Sequence, residues 1–115
     1  MGWVAEVEPE AEAWLLGLAE KEFGRAQFYI DLLEREGPQL GEPYTRQLRG
    51  RLRELRFYLE RERVRITYYL VTGRRIILLT VFKKTKARET REVDRAERAM
   101  RRCIEQGHTA EESDG

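Results

Sequence analysis

Between Glu54 and Lys84 the chain places Glu54 in one stretch with Arg56, Arg65, Lys83 and Lys84, and with Tyr68 and Tyr69. An arginine guanidinium presents a planar fork that meets two phosphate oxygens, and a lysine ammonium neutralises charge that develops in a transition state. A Glu or a Tyr can carry a proton. These residue types suit phosphodiester chemistry. A plainer role exists for each: Glu54 as a salt-bridge partner of Arg56, Arg65 or an arginine of the last helix, and Lys83, Lys84 and Lys86 as a solvated strand end.

Side-chain parity decides which of these residues can meet. Residues 51–59 alternate, with Leu55, Phe57 and Leu59 on one side and Glu54, Arg56 and Tyr58 on the other. After a charged turn at Glu60–Glu62, residues 63–71 alternate again. Val64, Ile66, Tyr68 and Leu70 share one face, and Arg65, Thr67 and Tyr69 share the other. Thr72-Gly73 predicts a tight hairpin turn. The run Ile76–Phe82 is apolar on both sides and predicts a central strand, with Lys83, Lys84 and Lys86 at its exit. In-register pairing would gather Glu54, Arg56, Arg65 and Tyr69 on one polar face.

The remaining elements frame that sheet. Residues 2–7 predict a short strand with Trp3, Ala5 and Val7 on one side. Pro9 opens a helix carrying Ala11, Trp14, Leu15 and Leu18 on one face. A second helix from near Glu22 carries Phe23, Ala26, Ile30 and Leu33, with Gly24 a possible loosening near its start, and Gly37-Pro38 ends it. Residues 39–44 read as a loop. Residues 89–105 return to helical period through Val93, Ala96, Met100 and Cys103, and this stripe fits either the core or a docked partner helix. The order β-α-α-β-β-β-α predicts a small α+β domain over residues 1–106, mainly antiparallel, flanked by an N-terminal helical hairpin and a C-terminal helix. Residues 107–115 read as a flexible acidic tail.

Charge is unevenly distributed. The whole chain has 22 Lys+Arg and 21 Asp+Glu, a net of +1. Residues 1–43 hold 3 basic and 10 acidic residues, whereas residues 44–88 hold 14 basic against 3 acidic, a net of +11. Such asymmetry points to an anionic partner, nucleic acid or an acidic protein. One cysteine, Cys103, excludes an intrachain disulfide and a multi-thiolate zinc site, and its place on the apolar stripe reads as packing. The N-terminus has no signal-peptide pattern and no apolar run is long enough for a membrane span, so a cytoplasmic location is expected. Trp3 and Trp14 read as core or partner-contact residues.

Three motifs in order carry a resemblance: Leu52-Arg53-Glu54-Leu55-Arg56, Arg65-Ile66-Thr67-Tyr68, and Ile77-Leu78-Leu79-Thr80-Val81-Phe82-Lys83-Lys84-Thr85. Glu92–Ala96 adds a helical pattern. Together with the leading helical hairpin, they resemble the HigB-type toxins of the RelE/ParE superfamily, in the branch related to phage-derived host-killing proteins. The resemblance runs from about Val4 to Gln106. It implies the toxin of a type II toxin–antitoxin pair that cleaves mRNA on the ribosome without a metal or other cofactor. The RNA 2′-OH would attack the adjacent phosphate, leaving a 2′,3′-cyclic phosphate and a 5′-hydroxyl. The implied partner is a helix-turn-helix antitoxin of HigA-like type.

Under that reading Arg56 and Arg65 hold the scissile phosphate, and Lys83 and Lys84 hold the flanking backbone or the pentavalent state. Glu54 is the candidate base, although Arg56 beside it is expected to depress its pKa. Tyr69 shares the face of Arg65 and is favoured over Tyr68 for stacking or proton transfer. Arg53, Tyr68, Lys86 and Arg88 are the candidates for wider RNA contact. The sole histidine, His108, falls in the tail, so the histidine acid or base of other superfamily toxins has no counterpart. The competing functions are a ParE-like inhibitor of DNA gyrase that cuts nothing, and a non-catalytic nucleic-acid-binding module or inactive prophage remnant.

Overall fold

Three stretches rich in branched and aromatic residues pair as consecutive antiparallel strands in the computed structural model, which describes residues 2–85 and 89–107. They are β3 (Leu52–Leu59), β4 (Glu62–Val71) and β5 (Arg75–Lys83). Before them come β1 (Val4–Val7), α1 (Pro9–Leu16), α2 (Glu20–Glu36) and β2 (Thr45–Arg49), and after them α3 (Thr90–Glu105). The sheet order is β1-β5-β4-β3-β2, with β1 parallel to β5 and the other pairs antiparallel. The α+β, mainly antiparallel architecture read from the sequence holds, with one strand added. β2 went unanticipated because Thr-Arg-Gln-Leu-Arg is a polar edge strand with no alternating apolar face to announce it.

Both faces of the sheet are used. Leu55, Phe57, Val64, Ile66, Tyr68, Ile76 and Leu78 lie in one core with Ala11 and Leu15 of α1 and Ala26, Ile30 and Leu33 of α2. On the other face Leu52, Tyr69, Val71, Ile77 and Leu79 pack with Ala96 and Cys103 of α3. This is the split that parity predicts, and it covers β5 above and below. Each fully buried leucine or isoleucine contributes about 1.5–3 kcal/mol relative to exposure. The helices differ in detail from expectation. α2 begins at Glu20 and runs through Gly24 unbroken, Phe23 is partly exposed, and α1 stops at Leu16, although Leu18 still packs on the core.

Gly37 closes α2 with a φ of +57°, and a Cβ there would overlap the Trp3 indole. The free edge of β1 is held by Glu34 of α2, whose carbonyl accepts the Trp3 N–H at 2.7 Å and whose carboxylate accepts the Ala5 N–H at 2.8 Å. Glu6 and Arg75 tie β1 to β5 through two hydrogen bonds of 2.6 and 2.7 Å.

The pairing of β4 with β5 shifts between Ile66 and Tyr68. There the Thr67 and Thr80 hydroxyls lie 2.6 Å apart, and the Thr80 N–H donates to Thr67 Oγ1 at 3.0 Å. The extra residue inverts the alternation of β5 beyond Leu79. Lys86, Arg88, His108 and the expected tail beyond Gly107 lie outside the described residues. Among the described residues no helix is long and apolar enough to cross a membrane.

Candidate phosphate-binding site

α3 packs over one end of its sheet face, on Leu52, Tyr69, Ile77 and Leu79. The other end of that face carries Glu54, Arg56 and Tyr58 from β3, and Arg63 and Arg65 from β4. Arg56 and Arg65 are direct cross-strand partners, an arrangement of like charges that is unfavourable by itself. Glu54 resolves it. Its Oε2 lies 3.6 Å from the Nε atoms of both arginines. Glu54 is only 2% exposed and Arg65 4%.

These contacts supply charge compensation without hydrogen bonds. Glu54 Oε1, Arg56 Nε and Arg65 Nε are buried with no hydrogen-bond partner among the described residues. Arg65 donates one hydrogen bond, to the Val64 carbonyl at 3.2 Å. Buried polar atoms left unmatched are unfavourable by about 1–3 kcal/mol each and mark places where a ligand gains by entering.

Burial pushes the Glu54 carboxyl above the ordinary carboxylate value; Arg65 opposes this and the charge of Glu89 adds to it. The expectation that Arg56 would hold Glu54 low is therefore corrected: removal from water outweighs the attraction of both arginines. Burial also lowers Arg65, with the like charge of Arg56 adding to the effect.

Glu89, which stands just before α3, was not singled out in the sequence. Its Oε2 is buried and lies 3.0 Å from Lys84 Nζ. It is the first acid after the run of Lys and Arg that follows β5, and that position is the one signal that could have found it.

Of the residues proposed from sequence, the structure brings together Glu54, Arg56, Arg65 and Lys84. The Lys84 N–H donates to the Arg63 carbonyl, at the rim of this face. Lys83 pairs across from Val64, a residue of the face covered by α1 and α2, and its ammonium meets Glu62 at 2.9 Å. Tyr69 shares the face of Arg65 but lies four residues along β4, under α3. Its hydroxyl donates to Cys103 Sγ at 3.2 Å, and burial and that bond raise its pKa. Arg53 and Tyr68 stand on the opposite face, where Arg53 Nε donates to the Tyr68 hydroxyl at 3.3 Å. Tyr68 is 1% exposed, which leaves no ring face open to a base.

A cleft of about 280 Å³ opens beside Arg56 and Arg65, bounded also by Pro43, Tyr44, Tyr58 and Arg63. A wider depression of about 560 Å³ runs along α2, lined by Lys21, Arg25, Phe28 and Glu60 among others, and includes none of the Glu54 cluster. We place the site at the smaller cleft because Arg56 and Arg65, whose Nε atoms are buried and unmatched, line it. Among the described residues no group of three or more His, Cys, Asp or Glu side chains could hold a metal ion.

Residues 13–101 match the family described as phage-derived protein Gp49-like (DUF891). A Mycobacterium tuberculosis protein named "Putative toxin HigB2" is 36% identical over 89 residues, covering 73% of this chain and 44% of that protein. The chain thus spans less than half the length of this curated relative. The free-state structure of a double mutant of Escherichia coli toxin RelE superposes with a TM-score of 0.58 at 16% identity, over 85% of this chain and 97% of the other. A chain of the archaeal RelE–RelB complex of Pyrococcus horikoshii gives a TM-score of 0.53 at 21% identity, over 76% of this chain and 100% of the other. At these identities the two structures establish the fold. The chain belongs to the family of phage-derived Gp49-like proteins.

Proposed function

We propose that this protein is the toxin of a toxin–antitoxin pair and that it acts by cleaving RNA. The observation that carries the reading is Glu54, buried between Arg56 and Arg65, with unmatched polar atoms at the wall of a cleft. Family membership and the RelE-like fold support the toxin role. The name of the mycobacterial relative and the archaeal complex with RelB support an antitoxin partner, here a HigA-like helix-turn-helix protein.

In this mechanism Arg56 and Arg65 bind the non-bridging oxygens of the scissile phosphate, and their guanidiniums take up the charge that grows in the pentavalent state. Glu54 accepts the proton of the 2′-OH. A carboxyl raised toward working pH is a stronger base than an ordinary one. The bond from O2′ to phosphorus forms and the bond from phosphorus to O5′ breaks. Lys84, held at the rim by Glu89, supplies the proton to the leaving oxygen. The products are a 2′,3′-cyclic phosphate and a 5′-hydroxyl, and the mRNA is met on the ribosome.

Induced expression followed by primer extension on total RNA tests this. Cleavage at defined positions in the parent, lost in both Arg65→Ala and the shape-conserving Glu54→Gln, is the expected result. Intact mRNA with DNA damage would point to gyrase instead, and absence of any growth effect would end the toxin reading.

A further inference from the structure

Beside the two site arginines the sheet edge changes character. β2 pairs with β3 only from Leu52 to Leu55, so the outer edge of β3 from Arg56 onward has no strand neighbour. Tyr44, just before β2, accepts the Arg56 N–H on its carbonyl at 2.8 Å and is 41% exposed. Tyr58, two residues beyond Arg56 and on its face of β3, is 55% exposed. Both tyrosines line the cleft with Arg56, Arg63 and Arg65.

The cleft has an aromatic base as well. Tyr29 stacks on Phe57 with ring centroids 4.9 Å apart and planes at 8°. The Tyr44 ring lies 6.5 Å from that of Tyr29. Flat apolar rings and fixed cations therefore meet in a space too narrow for a duplex. A nucleotide carries both matching features, a π face and a phosphate, one sugar apart. Single-strand binding proteins combine these same two contacts.

We infer that this cleft seats the base of a single-stranded nucleotide against Tyr44 and Tyr58, next to the phosphate that rests on Arg56 and Arg65. The inference rests on the RNA reading above and adds to it a seat for one particular base beside the reacting phosphate.

The test uses the full chain and an uncleavable, fluorescently labelled 2′-O-methyl RNA hexamer, followed by anisotropy at low salt. Tyr58→Ala and Tyr44→Ala should each weaken binding on the order of tenfold, and Tyr58→Phe should stay within about twofold. One abasic position should weaken wild-type binding about tenfold and add nothing further in Tyr58→Ala. Both tyrosines are exposed, so the variants should fold. Wild-type affinity in both alanine variants would overturn the pocket while leaving the nuclease reading intact, provided Arg65-dependent cleavage persists. Failure of the wild type to bind the strand at all would overturn the pocket, and intact mRNA after induction would overturn the nuclease reading.

Discussion

Glu54 Oε2 and Arg65 Nε stand 3.6 Å apart, within reach of charge attraction and beyond hydrogen-bond distance. Both side chains are almost fully buried, and their unmet hydrogen bonds differ in kind: Arg65 Nε needs an acceptor such as a phosphate oxygen, and Glu54 Oε1 needs a donor such as a ribose hydroxyl. Removing either partner has two separable effects. Arg65→Ala leaves a buried carboxylate short of one cation and should destabilise the fold by about 3 kcal/mol. Glu54→Gln keeps the shape but removes the base, and should lower cleavage by about 10²–10⁴-fold while the chain remains folded. Denaturant melts read beside the cleavage assay separate the two. Full activity in Glu54→Gln would remove Glu54 from proton transfer.

Stability should carry the signature of Glu54 in its pH dependence. Its folded pKa is raised above the ordinary 4.5. The native state therefore binds its proton more readily than the unfolded chain. The contribution is fully present below the unfolded value and is lost as pH rises through the folded one. The stability of wild type minus that of Glu54→Gln should fall as pH climbs upward from about 4.5. Urea melts across that range measure it, and a difference that rises with pH would mean the arginines outweigh burial.

Glu6 should behave in the opposite sense. Hydrogen bonding to Arg75 lowers its pKa. Its contribution is present above the unfolded value and is lost as pH falls through the folded one. Glu6→Gln should destabilise by about 1 kcal/mol at neutral pH, since the carboxylate is more than a third exposed and solvent screens the pair. The difference from wild type should vanish in strong acid.

Tyr69 and Cys103 make a buried contact away from the cleft. Tyr69→Phe should lower stability by about 1 kcal/mol and leave RNA cleavage unchanged. Loss of cleavage in a folded Tyr69→Phe protein would restore the catalytic role that parity alone gives this tyrosine.

Gly37→Ala should be the most damaging small change outside the site. It combines a φ of +57° with an overlap on the Trp3 ring. A loss of about 2–3 kcal/mol is expected, read as a drop in Tm. A neutral Gly37→Ala would mean that Trp3 moves aside freely.

Alternation made most of the sheet legible. Leu55, Val64 and Ile66 fall on one face and Glu54, Arg56 and Arg65 on the other because a strand repeats every two residues. The same rule misled where it was extended too far. It set Tyr69 beside Arg65 without regard to distance along the strand, and nothing local reveals that α3 covers that end. The bulge at Thr67 and Thr80 exchanges the faces that Lys83 and Lys84 take, and a register shift leaves no mark in hydropathy. Glu89 reaches the site only through the packing of α3. The aromatic cleft depends on β2 beginning only at Thr45, opposite Leu55, and β2 itself was hidden by its polarity.

β1 is made well before the strand it pairs with. β1 pairs only with Arg75–Leu78 of β5, and Glu6 waits for Arg75. During synthesis the opening segment must remain unzipped until residue 78 has been made. Arg56, Arg65 and the sheet that aligns them are completed over the same interval. Pairing of β1 therefore depends on a contact of high sequence separation, which can form only after β5 has been made.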